Sequence, residues 1–265
     1  MLNIAMIQMQ VLLGQVEENY KKAEHLMLKA VKEGAKVLVL PEMWNTGFFP
    51  KDNLSAFVDV EGHRTQAFLS SFAKEHGVYI VGGSVSISRG DKHYNTTYIV
   101  DANGEVISSY DKVHTFSFAG EEQYFASGDH THRFEIEGIC CSSSICYDLR
   151  FPELFRKETV QGVDIWFLPA EWPDVRLVHW RTLLRARAIE NQMFVCAVNA
   201  CGPMGAVRNG GHSTCIDPWG EVFEELGFEE EVRIVSIDME GIREIRERMN
   251  VFRDRREDVY NKDIC

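Results

Sequence analysis

The sequence predicts an α/β fold of four layers, an α-β-β-α sandwich made of two pseudo-symmetric α-β-β halves. Three observations carry that expectation. Strand, helix and strand signals of the first half recur in the second, and a Leu-Pro pair ends a strand in each half, at Leu40-Pro41 and Leu168-Pro169. The segment Asn95-Thr-Thr-Tyr-Ile-Val-Asp-Ala-Asn-Gly-Glu105 is echoed by Gly211-His-Ser-Thr-Cys-Ile-Asp-Pro-Trp-Gly-Glu221, with glycine in the same slot. A sheet covered by helices on one face must bury the other, and two such sheets set face to face satisfy both.

Taken in order, Asn3 to Met9 reads as a buried strand. Glu17 to Glu33 spaces Ala23, Leu26, Ala30 and Val31 onto one helical face, and Gly34 can close that helix. Val37 to Leu40 is a second apolar strand that runs into Pro41, where proline forces a loop, so Glu42 falls just past a strand end. A helix from about Gly62 to His76, stopped by Gly77, leads into a strand over Val78 to Ile87. Strands over Asn95 to Val100 and Val106 to Tyr110 follow, joined by a turn at Asp101 to Glu105. The second half gives strand Ile139 to Ile145, helix Pro152 to Val160, strand Ile165 to Leu168 into Pro169, helix Leu177 to Asn191, strand Phe194 to Asn199 and the matching hairpin. Gly241 to Arg256 mixes arginines with acids that cancel their field, which reads as a solvated helix and tail. Residues 1–265 read as one domain, with the site where strand ends meet.

Composition narrows the function. The chain has 265 residues, 45% of them apolar and 26% charged, which is ordinary globular usage and leaves a sizeable core. Its formal charge of -12 repels phosphate backbones and anionic membranes, so nucleic acid and membrane are not expected partners. Seven cysteines, an odd number set within apolar runs, suit a reducing compartment, and the expected location is the cytoplasm. The first residues show no basic leader, and no apolar run reaches the roughly 20 residues that span a bilayer.

Three segments place one reactive side chain just past a strand: Leu40-Pro-Glu42-Met-Trp44, Tyr110-Asp-Lys112-Val-His114 and Ser143-Ser-Ile-Cys146-Tyr-Asp-Leu-Arg150-Phe-Pro-Glu153. Together, in this order, they resemble the nitrilase or carbon-nitrogen hydrolase superfamily, with a glutamate, a lysine and a cysteine in motifs of this form. Cys146-Tyr-Asp-Leu-Arg-Phe-Pro-Glu153 and His179-Trp-Arg-Thr-Leu-Leu-Arg-Ala-Arg-Ala-Ile-Glu-Asn191 look most like its ω-amidase branch. The resemblance implies a nitrilase-like fold, a hydrolase of small linear carboxamides, no cofactor and a homodimer.

The residues support that chemistry on their own terms. Cys146 follows an apolar strand and precedes a helix opening with Pro152, so its thiol faces a turn whose backbone dipoles, with Lys112, would favour the thiolate. A cytosolic cysteine otherwise packs as a small hydrophobe, like Cys140 and Cys141. Glu42, desolvated beside Pro41 and Trp44, is the expected general base, against the plain reading of a surface glutamate. A charged Lys112 cannot be the base; it suits an oxyanion site with the Tyr147 backbone N–H, unless it only bridges Asp111. The family often has a second glutamate between lysine and cysteine, and of Glu121 and Glu122 the distance to Gly128 favours Glu121.

Substrate selection is less fully written. Arg150 could hold a substrate carboxylate in bidentate fashion or merely bridge Glu153; by the ω-amidase resemblance that carboxylate belongs to a short keto-acid amide. Trp44, Trp172, Phe118 and Met204 are candidate pocket walls, although large apolar residues also build cores. Arg176, His179 and Trp180 fall in a stretch that lines the pocket or a subunit contact. Asp129-His-Thr-His132 lacks a third ligand at metal-site spacing, so no metal is expected. Gly82-Gly83 and Gly210-Gly211 read as turns or close backbone approaches rather than nucleotide loops. N-carbamoyl amino acids and other aliphatic amides are the alternative substrates, and a catalytically idle scaffold is the distant alternative.

Overall fold

A computed structural model describes residues 1–48, 50–205 and 207–260. The strands, in chain order, are β1 (Leu2–Gln8), β2 (Val37–Val39), β3 (Asp59–Val60), β4 (Tyr79–Val81), β5 (Val85–Arg89), β6 (Lys92–Val100), β7 (Val106–Asp111) and β8 (Phe134–Ile136). They continue with β9 (Ile139–Ser143), β10 (Ile165–Ala170), β11 (Phe194–Asn199), β12 (Cys201–Met204), β13 (Val207–Gly210), β14 (Thr214–Ile216), β15 (Val222–Glu225) and β16 (Glu231–Ile237). The α-helices are α1 (Val16–Lys32), α2 (His63–His76), α3 (Pro152–Thr159), α4 (Leu177–Asn191), α5 (Glu240–Arg248) and the short α6 (Glu257–Tyr260).

Alternation along the strands builds the layers. In β1, Ala5 and Ile7 pack with Ala23, Leu26 and Met27 of α1 and with Leu69 and Phe72 of α2, forming one core. Ile4 and Met6, pointing the other way, meet Ile165 and Phe167 of β10 and Cys196 and Val198 of β11 in a second core between the sheets. Trp166, Leu168 and Ala170 turn to the far side and join Leu154 and Phe155 of α3 and Leu184 and Ala188 of α4 in a third core. Each wholly buried Leu, Ile or Phe contributes about 1.5–3 kcal/mol, so a one-residue slip of either sheet would forfeit two cores at once. The result is the expected α-β-β-α sandwich.

One sheet runs β16-β1-β2-β4-β6-β5-β3 with β7 added to β6, and the other runs β15-β14-β11-β10-β9-β8. The two halves are therefore not closed units. Strand β16, not anticipated from the residue pattern, pairs antiparallel with β1 and so joins the first sheet after the chain has passed through the second. The β12–β13 ribbon and the short β3 and β8 were likewise not anticipated.

The echoed hairpins do fold alike. Gly104 and Gly220 both sit at φ 83°, and each donates its N–H to the aspartate three residues earlier, Asp101 at 3.0 Å and Asp217 at 2.9 Å. In both turns the aspartate carboxylate also accepts two backbone N–H groups, from Asn103 and Glu105 and from Trp219 and Glu221.

Two boundaries differ from the sequence reading. The expected strand over Val78 to Ile87 is broken into β4 and β5 at Gly82-Gly83-Ser84, where Gly83 turns to φ 62° and passes so close to Pro41 that a Cβ would lie 2.1 Å from its carbonyl oxygen. The chains pass too closely there for continued pairing. Strand β10 does not stop at Leu168 but runs through Pro169 to Ala170. Phe167 accepts from Ser144 on one flank and Ala170 accepts from Ala200 on the other, so the nitrogen of Pro169 faces the flank where β9 has ended. No ladder bond is lost by having proline there. The tail is only partly solvated as expected: α5 buries Ile242, and its Arg246 pairs with Asp164 at 2.6 Å. The seventh cysteine, Cys265, lies outside the described residues.

Candidate active site

Four strand ends meet here: Lys112 after β7, Cys146 after β9 and Glu171 after β10 line one cavity, and Glu42 after β2 lies buried behind them, bonded to Lys112 and to the Glu171 backbone. The Glu42 loop is anchored by the segment that broke the long strand. Ser84 Oγ accepts the N–H of Met43 at 3.0 Å, Ser84 donates its own N–H to Pro41, and Trp44 Nε1 donates to the Gly82 carbonyl at 2.8 Å. Met43 takes φ 43°, a left-handed conformation that costs about 1–3 kcal/mol in a non-glycine residue and persists because these bonds fix it.

Glu42 is fully buried yet amply supplied with donors. Its Oε1 accepts from Lys112 Nζ at 2.9 Å and Asn95 Nδ2 at 2.8 Å, and its Oε2 accepts the backbone N–H of Glu171 at 2.8 Å. Lys112, also buried, divides its ammonium between Glu42 and Glu121, whose oxygens lie 2.9 and 3.1 Å away. Burial works against the charge on Lys112, but the Glu121 and Glu42 carboxylates outweigh it and hold the ammonium well above the usual lysine range. Burial pushes Glu121 up and Lys112 pulls it down, leaving it raised; the Phe116 backbone N–H also binds it at 2.6 Å. Glu121 is thus the buried partner, whereas Glu122 is exposed. The alternative Lys112–Asp111 bridge does not form: Asp111 pairs with Arg89 at 2.8 Å and Thr96 at 2.5 Å.

Cys146 opens a one-turn 3-10 helix at φ 45°, a second strained non-glycine residue. Buried Asp148 ties this turn down. Its carboxylate accepts from Ile145 N–H at 2.9 Å and Tyr110 hydroxyl at 2.8 Å, and it meets His114 through both the backbone N–H at 3.0 Å and Nδ1 at 2.7 Å. The expected favouring of the thiolate is not what the surroundings produce. Burial, and then the Glu42 carboxylate, push the Cys146 thiol well above its usual range, against the smaller opposite pull of Lys112. With two carboxylates already sharing one ammonium, a resting thiolate would add an uncompensated buried charge.

The cavity has a volume of about 240 Å³ and is lined by Lys112, Cys146, Glu171, Trp172, Arg150 and Asn209, among others. That is small beside the roughly 300–1,000 Å³ of drug-sized sites, so it fits a compact molecule. Of the candidate walls, Trp172, Phe118 and Met204 line it, with Phe118 84% exposed and hence at the mouth. Trp44 does not: it lies in the first core against Tyr20, with ring centroids 4.8 Å apart. The apolar surroundings that mark a pocket wall also mark a core, and here the core prevailed. Trp180 is likewise fully buried, its indole donating to the His212 carbonyl.

Arg150 and Arg176 both line the cavity, and no ion pair to either occurs among the described residues. Arg150 stands over the Trp172 ring at 4.9 Å and meets His179 Nδ1 at 3.1 Å rather than bridging Glu153. Arg176 stands over the Phe116 ring at 5.3 Å. The ring nitrogens of His132 are engaged by the hydroxyls of Ser108 at 2.7 Å and Ser143 at 2.8 Å, and burial depresses its pKa to about 3. His130 instead meets Asp129 at 2.9 Å.

Sequence reasoning missed Asn95, Asp148, Asn209 and Glu171. A signal existed for the last: Glu171 follows Leu168-Pro169 much as Glu42 follows Leu40-Pro41.

The model of the carbon-nitrogen hydrolase family matches residues 3–247. The chain is 45% identical to the 2-oxoglutaramate amidase of Bacillus subtilis over 97% of this chain and 98% of that protein. To the omega-amidase NIT2 of Xenopus tropicalis it is 33% identical over 92% of this chain and 91% of that protein. Among solved structures, XC1258 from Xanthomonas campestris, a CN-hydrolase superfamily protein with an arsenic adduct in its active site, matches with a TM-score of 0.89 at 29% identity, covering 96% of this chain and 97% of that one.

Proposed function

From the premise that this chain belongs to the carbon-nitrogen hydrolase family and hydrolyses amides, we propose that it is an ω-amidase acting on ω-amides of short α-keto dicarboxylic acids. The observation that carries the chemistry is the buried Glu42–Lys112–Glu121 ion cluster, whose Lys112 lines the cavity that also holds the Cys146 thiol. Glu42 takes the thiol proton as sulfur attacks the carboxamide carbon. A raised thiol pKa suits this order, since the proton leaves only when attack begins. The oxyanion is held by Lys112 Nζ and the Tyr147 backbone N–H, and Glu42 returns its proton to the nitrogen, which departs as ammonia. Glu42 then draws a proton from water, hydroxide adds to the thioester, and collapse expels sulfur, which recovers its proton as the carboxylic acid leaves. Glu121 keeps Lys112 in place.

Two observations support the substrate class. The cavity is small, and Arg150 and Arg176 bring two cations to it with no carboxylate partner among the described residues, which suits an anionic tail. The names of the relatives from Bacillus subtilis and Xenopus tropicalis point the same way. We further propose one domain working as a cytoplasmic homodimer, to be checked by light scattering.

A panel of amides assayed for ammonia tests the reading. Turnover should be greatest on the keto-acid ω-amide, vanish in Cys146→Ala and after iodoacetamide treatment, and survive exhaustive chelation. Arg150→Ala should weaken carboxylate-bearing amides about tenfold more than neutral ones. Preferred turnover of an N-carbamoyl amino acid would reassign the substrate, and an inert Cys146 without ammonia release would return the chain to the scaffold reading.

A further inference from the structure

Glu171 is 5% exposed and Asn209 1% exposed, and both line the cavity beside Cys146. Among the described residues neither carboxyl oxygen of Glu171 has a partner at full hydrogen-bond geometry, nor has Oδ1 of Asn209, although the Asn209 side chain lies near enough to the Glu171 carboxyl to act on it. Leaving one buried polar group unsatisfied costs about 1–3 kcal/mol, and three oxygens at one wall call for a ligand that brings N–H or O–H groups.

We infer that Glu171 and Asn209 form a nitrogen subsite, accepting the two N–H bonds of the scissile primary carboxamide. The inference rests on the amidase reading above. Burial, and then the charge on Glu42, hold the Glu171 carboxyl well above the usual range, with Lys112 and the Asn209 amide pulling the other way. In the neutral acid one oxygen carries the proton and the other stays a bare acceptor. Together with Asn209 Oδ1 this gives two acceptors, the number of N–H bonds on such a nitrogen. The backbone N–H of Glu171 binds Glu42 Oε2 at 2.8 Å, which sets Glu171 at the reacting end of the cavity. With both N–H bonds engaged, the nitrogen lone pair of the tetrahedral intermediate is free to turn to the proton on Glu42. Glu171 and Asn209 thereby select amide over ester.

The test compares the ω-amide of 2-oxoglutarate with its ω-methyl ester, which has the same tail and carbonyl but no N–H. In Glu171→Leu the kcat/KM ratio of amide to ester should fall at least tenfold, mainly through the amide. Asn209→Ala, which does not touch the Glu171 backbone bond to Glu42, should shift the ratio in the same direction. Glu171→Gln, which keeps an uncharged acceptor, should stay within about threefold of the parent ratio. An unchanged ratio in both Glu171→Leu and Asn209→Ala, with the two substrates falling together, would show a structural role and overturn the inference. If the parent protein turned over neither substrate, the amidase reading would fail first and take the subsite with it.

Discussion

Each half of the molecule delivers a buried glutamate to the same site from behind a Leu-Pro pair, Glu171 lining the cavity and Glu42 bonded to its backbone, and the two are treated in opposite ways. Glu42 accepts three hydrogen bonds, from Lys112, Asn95 and the backbone of Glu171. Among the described residues Glu171 accepts none at full hydrogen-bond geometry with either oxygen, and it is held toward its neutral form by burial and by Glu42 itself, against the opposite pull of Lys112 and Asn209. Burial is nearly equal, 0% and 5% exposed, so burial is not what separates them. Donors separate them. A carboxylate can be kept charged in a core only where N–H groups and a cation replace its lost water, and one lysine serves only so many acids.

The same substitution at the two positions sharpens this contrast most. Glu42→Gln should lower kcat by about 10³-fold, within the span usual for general acid–base catalysis, while Glu171→Gln should leave it within a few-fold. Steady-state kinetics on one substrate decide; comparable losses would erase the distinction. Next is Gly83→Ala, whose methyl would collide with the Pro41 carbonyl at φ 62° and shift only the Glu42 side. It should cost about tenfold or more in kcat and several degrees in Tm, read by steady-state kinetics and thermal melting.

Asn95→Leu deprives Glu42 of one donor and moves it toward the situation of Glu171. An expected loss of roughly tenfold in kcat/KM checks this by steady-state kinetics on one substrate, and an unchanged kcat/KM would show that the Asn95 donor does not matter. The smallest effect concerns stability. Glu171 has a raised folded pKa, so above its ordinary value of 4.5 the unfolded chain releases a proton that the folded chain retains, and stability falls as pH rises. Glu171→Gln should remove that slope. Its Tm should match the parent near pH 4 and exceed it by a few degrees near pH 8, and a constant offset at both pH values would break the argument.

Some of this was open to inspection in the chain. Period-2 and period-3.6 patterns marked α1, α2, α3, α4 and the central strands, and Asp-x-x-Gly-Glu marked both turns, because each signal lies within a few neighbouring residues. The placement of Glu42, Lys112 and Cys146 just past strand ends was legible for the same reason, each sitting at a local boundary between an apolar strand and a loop. Trp44 misled because an indole in a core and one on a pocket wall have the same apolar neighbours in sequence. The thiolate expectation for Cys146 failed because it weighed Lys112 without the carboxylates around it.

The sequence by itself determined the layers, the repeat and the reactive residue types, since these follow from side-chain period, turn chemistry and strand ends. Only the tertiary structure decided that β16 closes the first sheet, that Gly83 must yield to Pro41, and that Asn95 and Glu171 stand beside Glu42. Contacts between segments tens to hundreds of residues apart are set by how whole sheets stack. Protonation is settled there too, because the field at a buried group is the sum over neighbours that the chain order does not reveal.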